Sequence, residues 1–341
     1  MRVTIRDVAR LAGVSISTVS RVLNNPDAVR EEKRRRVTEA VAHLGYRPNP
    51  VAQSLLRKVT GGLGVLVPFV SGEFFSEFLH GIDRAARDAG FFILISTSHY
   101  DTDELATALH GMGPRVDGLL IMAPTMDLGS LSGLLAQSSP VVYVNTPAKE
   151  QHVDLILFDN YGGFYGLTRH VLALGHRRVA LLRGPARASD ARERLEGFRK
   201  AMAEVPEAER IELSSELVGY TQEAGYEMAR GALALSPRPT ALMAANDQAA
   251  IGALAALKEA GIRVPEEMSV TGFDDVSSAR FAAPPLTTAR APVRELGAAA
   301  ARQLIARVRG EASEPVRRTF PVELIVREST APPPPEFYAS T

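Results

Sequence analysis

Apolar residues recur at helical intervals through the first 45 positions of the chain, and from Leu63 onward they gather into short unbroken runs. Val8, Leu11 and Ala12 fall at i, i+3 and i+4, after a Thr4 N-cap with Asp7 three residues on, and Gly13 ends that stretch. A second helix can start at Ser15 and run to Leu23, where Asn24-Asn25-Pro26 stops it, and Val19, Val22 and Leu23 form its inner stripe. A third, Glu31 to Leu44, turns Val37, Ala40, Val41 and Leu44 toward the first two. Two short helices joined by a tight turn containing Gly make a helix-turn-helix, whose second helix enters the major groove by its N-terminal end.

The later runs are LGVLVP, FFILIST, VDGLLIMAP, PVVYVN, DLILFD, RRVALLRG, TALMAAND and MSVTGFDD. Between them lie helix-length stretches such as Phe75 to Ala89, Tyr161 to Leu174, Arg192 to Ala203 and Asp247 to Ala260. Apolar strands alternating with helices predict parallel sheets covered on both faces. About ten strands exceed what one doubly wound sheet commonly holds, so two α/β subdomains are expected. Ligands of such sheets bind beyond the carboxyl ends of the strands. The polar residues there are His99, Tyr100 and Asp101, Asn145, Asp159, Asn246 and Asp247, and Asp274 and Asp275, each of which could also be a helix N-cap.

Charge divides the chain unevenly although its formal net charge is zero. Residues 1–58 carry 12 Lys+Arg against 5 Asp+Glu, and the remainder 27 against 34. A basic small segment on an acidic larger one points to a nucleic-acid module joined to another function. With Val19, Val22 and Leu23 turned inward, Ile16, Ser17, Ser20 and Arg21 face outward. Arg21 can fork onto guanine O6 and N7, Ser17 can reach a base edge or a phosphate, and Ile16 can pack on a thymine methyl. The run Lys33-Arg34-Arg35-Arg36 resembles a phosphate patch, but Glu31 and Glu32 stand four residues before Arg35 and Arg36 and can neutralise much of it.

The segment from Val3 to Leu56, VTIRDVARLAGVSISTVSRVLNNP onward, resembles the DNA-binding headpiece of the LacI/GalR family of transcriptional regulators along its whole length. That resemblance implies a headpiece over 1–47 and a hinge over 48–60 that folds on the operator. It places Ile16, Ser17 and Arg21 as major-groove readers. Thr18, Ser20 and Asn25, with Thr4 and Ser15 at the helix starts, take phosphate or helix-anchoring positions, and Leu55 is the hinge wedge in the minor groove. Arg30 departs from the Ser or Thr that members usually carry at the start of the third helix.

Residues 61–330 resemble the effector-binding core of the same family, with the fold of periplasmic sugar-binding proteins, through DNYGGFYGLTRHVLALGHRRVALLRGP, ARERLEGFRKAM and GIRVPEEMSVTGFDDVSSARFAAPPLTT. The implied effector contacts are Arg194, Tyr220, Asn246 and Asp274, with Phe74 and Phe75 as an aromatic wall. Tyr100 and Asn145 join them, Asn145 standing where an Asp is common. Ala188 replaces the Arg of purine-responsive members, so a sugar-like effector is preferred over a purine or a sugar phosphate. The whole is an α/β protein, a helix-turn-helix headpiece on a periplasmic-binding-protein-like core of two α/β subdomains, with a Pro-rich tail, 331–341, expected to be disordered.

The chain lacks cysteine, so thiolate chemistry is excluded. The expectation is a cytoplasmic, non-enzymatic homodimer on double-stranded operator DNA, with no cofactor, no metal, no catalytic residue and no membrane segment. MRVTIRDVAR has charges where a signal peptide needs an apolar core, which disfavours a free-standing sugar-binding protein. Gly61-Gly62-Leu63-Gly64 precedes a strand instead of linking strand to helix, so it reads as a joint and not a phosphate loop. No G-x-S-x-G, Walker or H-E-x-x-H motif occurs.

Overall fold

The computed structural model describes residues 3–24, 26–46, 59–133, 135, 139–148, 150–217 and 220–335. Asn25, Leu55 and nearly all of the hinge, 48–58, lie outside the described residues. The chain divides into two compact units, 1–60 and 61–341.

The first unit holds α1 (Ile5–Ala12), α2 (Ile16–Asn24) and α3 (Glu31–Leu44). Asp7 accepts from the Thr4 backbone N–H at 3.0 Å and from its hydroxyl at 2.7 Å, fixing the start of α1. Gly13 closes α1 at φ 61°, a left-handed position that suits glycine. The inner stripe of α1 is Val8, Ala9 and Ala12, whereas Leu11, expected inside, is 52% exposed. Ala9 takes the inward place, packed in one cluster with Val19, Val22, Val37 and Ala40. Val19, Val22, Val37 and Ala40 complete the core, with Leu23, Val41 and Leu44 at its margin. Arg30 begins α3 with no side-chain cap, and Glu31 and Glu32 occupy the first turn, where carboxylates favour the helix dipole.

The basic run at 33–36 is tied up differently from the expected i,i+4 pairs. Arg34 pairs with Glu31 and Asp27, Arg35 with Glu39, and Arg36 donates to the Gly13 carbonyl at 3.2 Å. Arg36 therefore acts as a C-terminal cap for α1.

The second unit contains two six-stranded sheets. The first uses β1 (Gly62–Val67), β2 (Phe92–Thr97), β3 (Gly118–Ile121), β4 (Val141–Val144), β5 (Asp154–Phe158) and β11 (Arg317–Phe320), in the order β11-β5-β4-β3-β1-β2. The second uses β6 (Arg178–Leu182), β7 (Glu209–Leu213), β8 (Ala241–Ala244), β9 (Ser269–Asp274), β10 (Thr287–Arg290) and β12 (Glu323–Ile325), in the order β12-β10-β9-β8-β6-β7. All pairs are parallel except β10 with β12. The chain passes between the sheets after β5, β10 and β11, so neither half is a continuous segment.

Both sheet faces are covered. Leu63, Val65 and Val67 of β1 face Phe78 and Ile82 of α4 (Glu73–Asp88) and Leu296 and Leu304 of α12 (Val293–Val308). Leu66 faces the other way, toward Leu105 and Leu109 of α5 (Thr102–Met112) and Leu131 of α6 (Leu128–Ser132). The second sheet is covered likewise by α7 (Asn160–Ala173) and α8 (Ser189–Ala203) on one face and α9 (Gln222–Leu233) and α10 (Asp247–Glu259) on the other, with α11 (Ser277–Phe281) beside β9. Two helix pairs close on reciprocal glycines. A Cβ on Gly81 of α4 would meet the Arg294 carbonyl and one on Gly297 of α12 the Phe78 carbonyl, while Gly225 of α9 and Gly252 of α10 face the Ala249 and Gln222 carbonyls.

Four strands escape the apolar-run reading. β7, β11 and β12 are sheet edges with charged residues such as Glu209, Arg317 and Glu323, and β10 is buried but begins with two threonines. The glycine-rich joint is largely strand instead, since Gly62 and Gly64 lie within β1 and make room for Phe92, Met112 and Leu119. The tail is ordered at its start. Ser269 Oγ accepts from the Ala331 N–H at 3.1 Å, and His176 Nε2 faces the Ala331 carbonyl at 2.9 Å. Burial pushes His176 down to about 4, so it is a neutral clamp at physiological pH. Among the described residues, no helix is long and apolar enough to cross a membrane.

Candidate functional site

The N-terminal end of α2 offers a face of its own. Ile16 is 46% exposed, Ser17 and Arg21 are exposed, and Val19 and Val22 are buried on the opposite side. Ser15 is the N-cap, accepting the Thr18 N–H at 3.2 Å, and its hydroxyl lies 2.8 Å from those of both Ser17 and Thr18. The hydroxyl cluster thus stiffens the first turn, and Thr18 and Ser20 sit half-buried at its flank. Thr4 is occupied by Asp7. The arrangement can present an isoleucine, a serine and an arginine to a groove while the core side stays dry.

In the second unit the carboxyl ends of β1, β2, β3 and β4 face those of β8 and β9 across a cleft of about 630 Å³, its open mouth included. All eight residues expected at an effector site line it. Phe74 and Phe75 stand edge to face at 5.2 Å at the start of α4, and Tyr100 follows β2. Asn145 ends β4, Asn246 and Asp274 follow or end β8 and β9, Arg194 rises from α8, and Tyr220 precedes α9. Tyr100, Asn145 and Asp274 have positive φ, at 61°, 44° and 108°. Strain of that kind persists where surrounding contacts over-determine it, and here it gathers at the cleft.

Arg194 organises the floor. Its Nε donates to Asn160 Oδ1 at 2.9 Å, Nη1 to the Ala245 carbonyl at 2.6 Å and Nη2 to Asp274 Oδ1 at 3.4 Å. Its guanidinium lies 4.0 Å from the centre of the Phe273 ring and 5.5 Å from that of Tyr220. Asn160 Nδ2 donates to Asn145 Oδ1 at 3.2 Å, and Asn145 Nδ2 points to Asp190 Oδ2 at 3.4 Å. The Tyr220 hydroxyl is buried and has no hydrogen-bond partner among the described residues, a polar group left for a ligand.

Burial pushes the Asp274 carboxyl up to about 7, against the opposing pull of Arg194. Its folded value lies above the ordinary 3.8, so the folded protein keeps a proton that the unfolded chain releases first. The stability this group contributes is full below about 3.8 and is lost as pH rises through about 7. Asp274→Asn removes that slope, so urea unfolding shows the variant gaining stability relative to the native chain between pH 5 and pH 8. The slope from neutral buried His176, of opposite sign, is common to both proteins and cancels. A difference that stays constant with pH contradicts the assignment.

Not every polar strand end reaches the cleft. Asp101 and Asp159 cap α5 and α7, His99 faces Glu104 at 2.6 Å, and Asp275 pairs with Arg290 and Arg327. Asp247 lies beneath the site, accepting the Thr288 hydroxyl at 2.6 Å and the Val276 N–H at 2.9 Å. Asn246 does two jobs: its oxygen caps α10 at Ala249 N–H, and its amide donates to the Tyr220 carbonyl at 3.1 Å. Ala188 is buried and has no polar atom to offer.

The sequence reading missed Glu73, Asp190 and Gln248, which also line the cleft, and Asn160, which links Arg194 to Asn145. Asp190 could have been found, since it precedes Arg194 by one helical turn at the start of α8. Glu73 accepts the Ser278 N–H at 2.9 Å and Pro124 the Ser189 N–H at 2.8 Å, so both rims of the cleft are bridged.

Residues 4–49 match the bacterial regulatory proteins of the lacI family, and residues 168–330 match the periplasmic binding protein-like domain. The HTH-type transcriptional repressor PurR of Photobacterium profundum is 36% identical over 96% of this chain and 98% of its own. Among solved structures, the lac repressor dimer bound to operator and the anti-inducer ONPF is similar with a TM-score of 0.86 and 31% identity, over 97% of this chain and all of the other. A transcriptional regulator CelR–cellobiose complex gives 0.71 and 32%, over 96% of this chain and all of that one.

Proposed function

The chain belongs to the LacI family of bacterial regulatory proteins, and from that premise we propose that it is a cytoplasmic transcriptional repressor that binds a palindromic operator as a homodimer under the control of a sugar-like effector. The observation that carries this reading is the pairing, on one chain, of an exposed helix-turn-helix face with a cleft whose buried Tyr220 hydroxyl lacks a partner among the described residues. A short recognition helix reads few base pairs, so two copies on two half-sites are needed for specificity. The related lac repressor was solved as a dimer on operator.

Control requires that the effector bind one arrangement of the two subdomains better than the other. Asp190, Asp274, Asn145 and Asn246 offer acceptors and donors beside the rings of Phe74, Phe75, Tyr100 and Tyr220, which suits a polyhydroxylated ring. Ala188, where a purine-holding arginine would stand, favours a sugar over a purine. A thermal-shift screen of the purified protein against sugars, sugar phosphates and purines tests the assignment. A hit that raises the melting temperature and changes operator affinity supports it, and a chain that binds operator identically with every compound refutes effector control.

Ile16, Ser17 and Arg21 carry the base reading, with Thr4, Ser15, Thr18, Ser20, Asn25 and the hinge residue Leu55 assigned to backbone contact, helix anchoring or minor-groove insertion. Arg21→Ala lowers discrimination between operator and random DNA by about 1–3 kcal/mol, the size of a lost bidentate base contact. Competition binding against both DNAs measures it, and equal losses on the two would make Arg21 a phosphate contact.

A further inference from the structure

The mouth of the cleft leads into a second cavity of about 1000 Å³, open to solvent. The two share Ser71, Gly72, Phe75, Tyr100, Tyr220 and Gln248, so they are one continuous space. Their chemistry differs. The inner part holds Arg194, Asp190, Asp274, Asn145 and Asn246, whereas the outer part is walled on one side by Phe69, Phe75 and Tyr100. Phe69 meets Tyr100 edge-on at 5.3 Å and stands 6.4 Å from Phe75. Across from these rings Gln222 donates to Gln248 at 2.7 Å, which leaves the Gln222 oxygen and the Gln248 amide nitrogen for a ligand.

We propose that the effector is an uncharged glycoside of two rings, the first seated on Arg194 and Asp274 in the inner cleft and the second between the Phe69–Tyr100 wall and the Gln222–Gln248 amides. This deepens the repressor reading above and rests on it. A pyranose has an apolar C–H face and an equatorial rim of hydroxyls, and a ring wall opposite a pair of amides matches both. Tyr220 lines both cavities, and its buried hydroxyl, partnerless among the described residues, lies near Asp190, Arg194 and Asp274 of the inner part, where the first ring would sit. Arg194 is the single cation among the described residues lining either cavity, and it stands against the carboxylates of Glu73, Asp190, Asp274 and Glu223. That balance repels a phosphorylated sugar.

Calorimetric titration of the full-length protein with cellobiose, maltose, lactose and melibiose, with their constituent hexoses, with hexose 6-phosphates and with guanine tests the proposal. The expected result is one neutral disaccharide binding about ten-fold tighter than either of its hexoses, with no heat from the phosphates. Phe69→Ala, outside the inner cleft, brings the disaccharide down to hexose affinity and leaves the hexose unchanged. The proposal is overturned if no disaccharide binds, if a single-ring sugar, phosphate or purine binds tightest, or if Phe69→Ala weakens disaccharide and hexose alike. Operator binding measured with the same ligands separates the two readings. A hexose that shifts operator affinity overturns only the two-ring effector, guanine that shifts it overturns the sugar-like assignment as well, and a disaccharide that binds through Phe69 without shifting it overturns effector control.

Discussion

Arg194→Ala abolishes the effector's control over operator binding and lowers the stability of the second unit by about 3–5 kcal/mol, the usual cost of stripping one partner from a buried charge pair. Arg194 is 3% exposed, and its guanidinium donates to Asn160, the Ala245 carbonyl and Asp274. Without it those acceptors lose their donor, and Asp274 and Asp190 face each other with no cation between them. Operator binding itself persists, because the helix-turn-helix has its own core. Urea unfolding reads the loss of stability, and anisotropy of labelled operator with and without effector reads the loss of control. Tyr220→Phe is the milder companion: it removes only the orphaned hydroxyl, so it weakens the effector without the stability loss. A variant Arg194→Ala that still responds at the native effector concentration would remove the arginine from the site.

Gly225→Ala costs more than a single methyl group ordinarily does, at least about 3 kcal/mol, because its new Cβ meets the Ala249 backbone carbonyl and not a side chain that can turn aside. Reciprocally, Gly252 sits against the Gln222 carbonyl, so α9 and α10 cannot separate at one glycine without losing contact at the other. The starts of these helices carry Gln222 and Gln248, so the same substitution also disturbs the cleft mouth. Gly231→Ala on the same helix is the control. Nothing lies within 4 Å of its Cβ position, and helix propensity predicts a gain of up to about 1 kcal/mol. Equal thermal shifts for the two variants would show that the helices can move apart freely.

How far such features were legible depends on what each residue answers to. Seven of the eight apolar runs were readable because a parallel strand covered on both faces has no polar side to present, and the eighth, FFILIST, is the edge strand β2, apolar in sequence although Phe92 and Ile95 are exposed. β7, β11 and β12 were not, because an edge strand tolerates charges such as Glu209 and Arg317, and those break the pattern. Cleft residues were readable where a polar group directly ended a strand, as at Asn145 and Asp274. Asp190 and Asn160 belong to helices and reach the floor only through the packing of α7 on α8. Leu11 failed for a related reason: period alone marks a stripe about three residues wide but not which of them the neighbours choose. The glycine notches left no signal in hydrophobic periodicity, since their role is the absence of a side chain.

Arg36 gives the first unit a property that composition conceals. Each lysine or arginine that neutralises a phosphate releases condensed counterions, so the salt dependence of operator affinity counts the cations that meet DNA. Arg36 keeps its charge but is held at the Gly13 carbonyl, while Arg34 and Arg35 must leave Glu31, Asp27 and Glu39 before they can release an ion from the duplex. A plot of log affinity against log salt therefore falls less steeply than four adjacent cations would dictate, and this repressor holds its operator over a wider range of ionic strength than its basic run implies.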